Sequence, residues 1–114
     1  MKKIKLTCAH AIIKHLIAQK ILIDGKKEQL FAGAFGIFGH GNVACLGQAL
    51  QENQDKLTTY RGHHEQNMAL TGIAYARAKR RKQFFVATSS VGPGSTNMVT
   101  ASAVAMSNRL PILF

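Results

Sequence analysis

Three short segments hold most of the groups suited to chemistry: Gly39-His40-Gly41-Asn42, Arg61-Gly62-His63-His64-Glu65 and Gly92-Pro93-Gly94-Ser95-Thr96-Asn97. Glu65 stands apart among the five acids of the chain. Asp24, Glu28, Glu52 and Asp55 lie in polar stretches that read as loops or helix ends. Glu65 instead opens a helical pattern, followed in phase by Met68, Ala69, Gly72, Ile73 and Ala76. That register predicts a carboxylate turned inward at the first turn of a buried helix. There the helix dipole favours the anion while burial favours the neutral acid, so its proton affinity is tunable. A carboxylate placed this way needs a reason. The plainer reading is a carboxylate near an N-cap, bonded to free backbone N–H groups or paired with Arg61. The residue by itself leaves both readings open.

The other segments are less specific. Gly39-His40-Gly41-Asn42-Val43-Ala44 loosely matches a dinucleotide fingerprint, but the next strand ends in Tyr60-Arg61 rather than an acid. A helix also precedes the first strand, so a tight strand-to-helix turn is the better account. The Gly92-Pro93-Gly94 segment offers backbone N–H groups to an anion but lacks the Lys of a phosphate loop. An ordinary turn with Ser95 or Thr96 as a helix cap explains it equally well. His63-His64-Glu65-Gln66-Asn67-Met68 is not a zinc-protease motif, because Met68 stands where the second His is required. Cys8, His10 and Cys45 show no metal spacing, and no serine nucleophile elbow occurs.

These segments need elements to hold them. Thr7 is a fitting N-cap for a first helix with the stripe Ala9, Ile12, Ile13, Leu16 and Ile17. Asp24-Gly25-Lys26-Lys27 reads as a polar turn. Strands are expected at residues 30–35, 57–60 and 84–88, with another beginning at 111–114. Helices are expected at 43–51, from Glu65 to the basic cluster Lys79-Arg80-Arg81-Lys82, and at 95–107. This alternation predicts an α/β fold, an incomplete doubly wound parallel sheet with helices on both faces. Ligands then bind at the carboxyl ends of the strands, where all three segments fall. The apolar run at 111–114 reads as a strand without its further neighbours, so the domain is expected to be interrupted there.

Composition bounds the rest. With 114 residues and 46% apolar content the chain is one domain at most, with a modest core. No run is long enough for a membrane span and no apolar signal core is present, so the expectation is a cytoplasmic protein without a membrane partner. Cys8 and Cys45 sit in apolar helical patterns and read as free core thiols. The net charge of +10 raises nucleic acid or another anion as a partner. The basic cluster, however, falls at a helix C-terminus, where cations complement the dipole, and no aromatics interleave with it. Nucleic-acid binding is therefore not expected.

Taken together, the segments resemble the N-terminal domain of thiamine diphosphate-dependent enzymes of the acetolactate synthase type, over essentially the whole chain. The resemblance rests on Glu65-Gln66 after Arg61, on Ala74-Tyr75-Ala76-Arg77, and on Gly92-Pro93-Gly94-Ser95-Thr96-Asn97, in that order. Phe31 to Asn42 and Leu46-Gly47-Gln48-Ala49-Leu50 narrow it. With Gly39-His40-Gly41 in place of the commoner Gly-x-Pro-Gly loop, they are similar to the branch that hydrolyses a C–C bond of a cyclic diketone in myo-inositol catabolism.

The resemblance implies a catalytic and cofactor-binding Glu65, bonded to N1′ of the cofactor's aminopyrimidine and promoting proton removal from thiazolium C2. It implies a pyrimidine pocket lined by Pro93, Gly94 and Asn97. Gly39, His40 and Asn42 would face the small-molecule diketone, His40 as a proton donor. Thiamine diphosphate would be held here by its pyrimidine half alone. Mg²⁺ and the diphosphate would belong to a C-terminal domain, whose Gly-Asp-Gly…Asn motif this sequence lacks. The family also implies a homo-oligomer, at least a dimer, with sites between subunits. This chain would be the N-terminal part of such an enzyme and inactive alone. The alternatives are part of an acetolactate synthase-like carboligase, or a small basic module for nucleic acid or another anion.

Overall fold

The computed structural model describes residues 3–114. Its first helix, α1 (Cys8–Ala18), begins where the Thr7 hydroxyl accepts a hydrogen bond from the His10 N–H. Ile13 and Leu16 of the expected stripe are buried, whereas Ile12 stays on the exposed side. The segment expected to be only a polar turn is a β-hairpin, β1 (Lys20–Ile23) paired antiparallel with β2 (Lys26–Gln29). Asp24 and Gly25 close it with positive φ angles of 49° and 79°, the conformation that a two-residue hairpin loop requires.

The main sheet is parallel and three-stranded, with β3 (Phe31–Gly36) between β4 (Thr59–Arg61) and β5 (Phe84–Thr88). Leu113 adds a parallel bridge to Val86, so the expected last strand is present as a single bridged position. The predicted strand at 57–60 begins later, because Leu57 is drawn into the core. Between β3 and β4 runs a helical segment, α2 (Gly39–Asn42), a π-helical turn (Val43–Gly47) and α3 (Gln48–Gln51). It starts at Gly39 rather than at 43, so the glycine-rich segment is the first helical turn and not an open loop.

Glu65 opens α4 (Glu65–Ala78), and its face of Met68, Ala69, Gly72, Ile73 and Ala76 is buried as the register predicts. The helix expected at 95–107 is divided into α5 (Pro93–Thr96) and α6 (Val99–Asn108). Pro93 begins α5 because a first-turn residue needs no N–H partner.

Two cores flank the sheet. One gathers Ile13, Leu16, Phe31, Ala34, Leu50 and Leu57 beneath α1 and α3. The other gathers Met68, Ala69, Ile73, Ala87, Ala101 and Ala105 beneath α4 and α6. Alternating strand residues supply opposite faces, so Ala34 packs in the first core and its neighbour Phe35 against the second. The cysteines correct the sequence reading: Cys8 and Cys45 are free but exposed, on the outward sides of their helices. No helix among the described residues is long and apolar enough to cross a membrane.

Candidate functional site

The three strands end level with one another. Gly36 is in register with Arg61 on one side and Thr88 on the other. Because the strands are parallel, the segments that follow them leave the same edge of the sheet. This places residues 37–42, 62–65 and 89–97 together, as the order of elements predicts.

Glu65 stands at the first position of α4, after His64 in extended conformation and without a capping side chain. Asn97 Nδ2 donates to Glu65 Oε2 at 3.0 Å. That bond, and after it a backbone N–H bond, hold the carboxyl below its ordinary pKa; burial opposes them more weakly, and the nearby His64 adds a lesser lowering. The expectation of an enclosed carboxylate is corrected accordingly. The helix face is buried, but Glu65 itself is half-buried, with its pKa lowered chiefly by the Asn97 bond. The ion pairs among the described residues are His10–Glu52 and Lys56–Asp55, so the alternative pairing of Glu65 with Arg61 is not made.

Gly94 is buried beside this carboxylate. A Cβ there would lie 3.0 Å from Glu65 Oε1 and 2.3 Å from Ser90 Oγ, so a larger residue would have to displace the Ser90 hydroxyl. Pro93 and Asn97, at the two ends of α5, are exposed at the same edge. Ser95 and Thr96 do not cap this helix. Their hydroxyls donate to the Gly92 carbonyl at 2.9 and 3.0 Å, because the turn leaves that acceptor within their reach.

The other half of the site surrounds α2. Gly39 has a φ of 70°, and a Cβ on it would meet Ser90 Cβ at 2.6 Å. Asn42 Nδ2 donates to the Ser89 carbonyl at 3.3 Å, fastening α2 to the segment after β5. An open cavity of about 510 Å³ lies there, lined by Phe38, Gly39, His40, Asn42, Ser90 and Val91 among others. His40 is exposed in it. Two groups of predicted residues thus form, Glu65 with Gly94 and Asn97, and Gly39 with His40 and Asn42. Ser90 touches both. Sequence reading passed over Ser90; the available signal was a hydroxyl pair at a strand end just before the Gly92-Pro93-Gly94 segment. No group of three or more potential metal-binding side chains occurs among the described residues.

Residues 17–114 match the family model described as thiamine pyrophosphate enzyme, N-terminal TPP binding domain. The chain belongs to this family. The parallel sheet flanked by helices agrees with that domain's fold. The TPP-binding domain is 50% identical over 113 residues to a 3D-(3,5/4)-trihydroxycyclohexane-1,2-dione hydrolase of Clostridium tetani. It is 51% identical to the protein of the same name from Geobacillus thermodenitrificans and 48% to that of Bacillus cereus. Each match covers 99% of this chain and 18% of the relative. The chain therefore spans less than a fifth of the length of these relatives.

Proposed function

We propose that this TPP-binding domain serves ring-opening C–C hydrolysis of a cyclic 1,2-dione, the substrate named for its relatives, by supplying the pyrimidine side of a thiamine diphosphate site. The observation that carries the reading is the Glu65 carboxylate. Its Oε2 is anchored by Asn97 at 3.0 Å, while Oε1 faces the bare backbone of Gly94. A flat heterocycle with a ring nitrogen fits against such a surface, where a side chain on Gly94 would exclude it. When bound, the cofactor supplies a thiazolium carbon able to attack a carbonyl.

Glu65 is the catalytic residue, holding or accepting a proton at the pyrimidine nitrogen. Asn97 fixes the carboxyl so that its free oxygen points at the ring. Pro93 and Gly94 shape the pocket wall. Gly39 lets α2 approach Ser90, and His40 and Asn42 face the dione, with His40 as proton donor. Mg²⁺ and the diphosphate are held outside this chain, in a cytoplasmic homo-oligomer. Half of the cofactor contacts does not make a catalyst, so the chain alone is inactive.

The test joins this chain to the region of the Clostridium tetani relative beyond the matched segment. The product is assayed for ring opening of trihydroxycyclohexane-1,2-dione and for carboligation of pyruvate. Ring opening is expected, and E65Q should lower kcat at least ~100-fold, the scale of losing a positioned proton-transfer group. Activity within threefold of the parent would remove Glu65 from the mechanism. Acetolactate formation in place of ring opening would favour a carboligase.

A further inference from the structure

The Asn42 side chain has two different hydrogen-bonding ends, and the fold engages only one of them. Its Nδ2 donates to the Ser89 carbonyl at 3.3 Å, from the last residue of α2 to the segment after β5. A carbonyl only accepts, so this bond decides how the amide is turned, with nitrogen toward Ser89 and oxygen away from it. Oδ1 has no hydrogen-bond partner among the described residues. Asn42 is half-buried, yet no sealed side-chain oxygen or nitrogen among those residues lacks a partner, so Oδ1 reaches solvent. Asn42 also lines the open cavity of about 510 Å³ that holds His40. The lining of that cavity includes no lysine or arginine, although the chain carries a net charge of +10. A carboxylate ligand would meet no permanent counter-charge there. Phe38 and Val91 instead offer apolar contact to a carbon ring, and Val91 is 85% exposed.

We propose that Asn42 determines specificity: its Oδ1 faces the cavity and accepts a hydrogen bond from a ligand hydroxyl. The cavity then takes an uncharged, hydroxyl-bearing ring ketone in preference to a bare diketone or a 2-oxo acid. The amide cannot present its nitrogen to the ligand without giving up the Ser89 bond, so the preference is for a donor on the ligand. This assignment rests on the reading of residues 39–42 as the substrate side of a ring-opening site, and it names the feature of the substrate that they select.

The test needs neither cofactor nor turnover. Trihydroxycyclohexane-1,2-dione, cyclohexane-1,2-dione and pyruvate are each titrated into the 114-residue chain, and the Val91 methyl signals are followed by NMR. The hydroxylated dione is expected to bind with a Kd roughly three- to tenfold below that of the unsubstituted one, the scale of one net hydrogen bond. Pyruvate should leave the Val91 signals in place over the same concentrations. N42L, with its fold verified by backbone amide spectra, should bring the two diones to a common Kd. N42A removes the same oxygen with less bulk and carries the same expectation if N42L does not fold. A merely structural Asn42, one that only fastens α2 to Ser89, would weaken both diones equally and leave their ratio unchanged. The proposal is overturned by that result, by diones that bind the parent alike or not at all, or by tighter binding of pyruvate. None of these outcomes touches Glu65, whose role falls only if E65Q retains ring opening in the joined chain.

Discussion

Glu65 shows how a helical register fixes a side chain's face without fixing its charge. The spacing of Met68, Ala69, Gly72, Ile73 and Ala76 was enough to place the buried face of α4. The direction of the carboxyl's proton affinity was not legible, because its main partner is Asn97, on another element far along the chain. With the folded pKa depressed, the Asn97 bond contributes stability above the ordinary carboxylate range. That contribution is lost as pH falls through the folded value. N97A should therefore raise the Glu65 midpoint. Its urea midpoint should lie below the parent's at pH 7, with the difference shrinking in acid as both chains protonate Glu65. A gap that persists unchanged to low pH would assign the effect of Asn97 to packing instead.

At the scale of elements, the strands and helices that bury a face were readable, and those that do not were missed. The hairpin β1–β2 exposes most of its side chains, so it carries no apolar alternation strong enough to mark strands. Its turn pair Asp24-Gly25 was the available signal. Tertiary bonds rather than a core hold it in place: Gln29 donates to the Ile17 carbonyl at 3.0 Å and receives Gln83 on its own carbonyl at 2.8 Å. The early start of α2 was hidden for a related reason. Glycines at 39 and 41 read as a strand-to-helix turn ahead of a helix at 43, whereas Gly39 uses its positive φ to turn the chain directly into the helix. G39A combines that strained φ with a contact to Ser90 Cβ at 2.6 Å. It should cost ~2 kcal/mol in a denaturant titration, while G41A, whose added methyl meets nothing within 4 Å, should cost less than ~0.5 kcal/mol.

The whole molecule carries a charge of +10, and part of that excess is structural. Arg81 Nε donates to the Arg109 carbonyl at 2.8 Å, and its guanidinium also reaches the Asn108 carbonyl at 3.2 Å. The basic end of α4 thus satisfies free carbonyls at the C-terminus of α6, the helix packed beside it. The sequence placed these cations at the end of their own helix, and the dipole argument was right in kind. Which helix they serve depends on the packing of α4 against α6 across Ile73 and Ala101, a long-range outcome that no local pattern encodes. Arg81 and Arg80 should therefore differ despite their adjacency. R81A should lower stability by about 1 kcal/mol, the scale of charge-assisted bonds at an exposed helix end. R80A should change it by less than ~0.5 kcal/mol, since Arg80 makes no side-chain hydrogen bond among the described residues. Raising salt separates the two contributions. A loss in R81A that survives 1 M NaCl reflects the directed bonds to the carbonyls, whereas one that vanishes reflects only the screened attraction of a cation for the helix end.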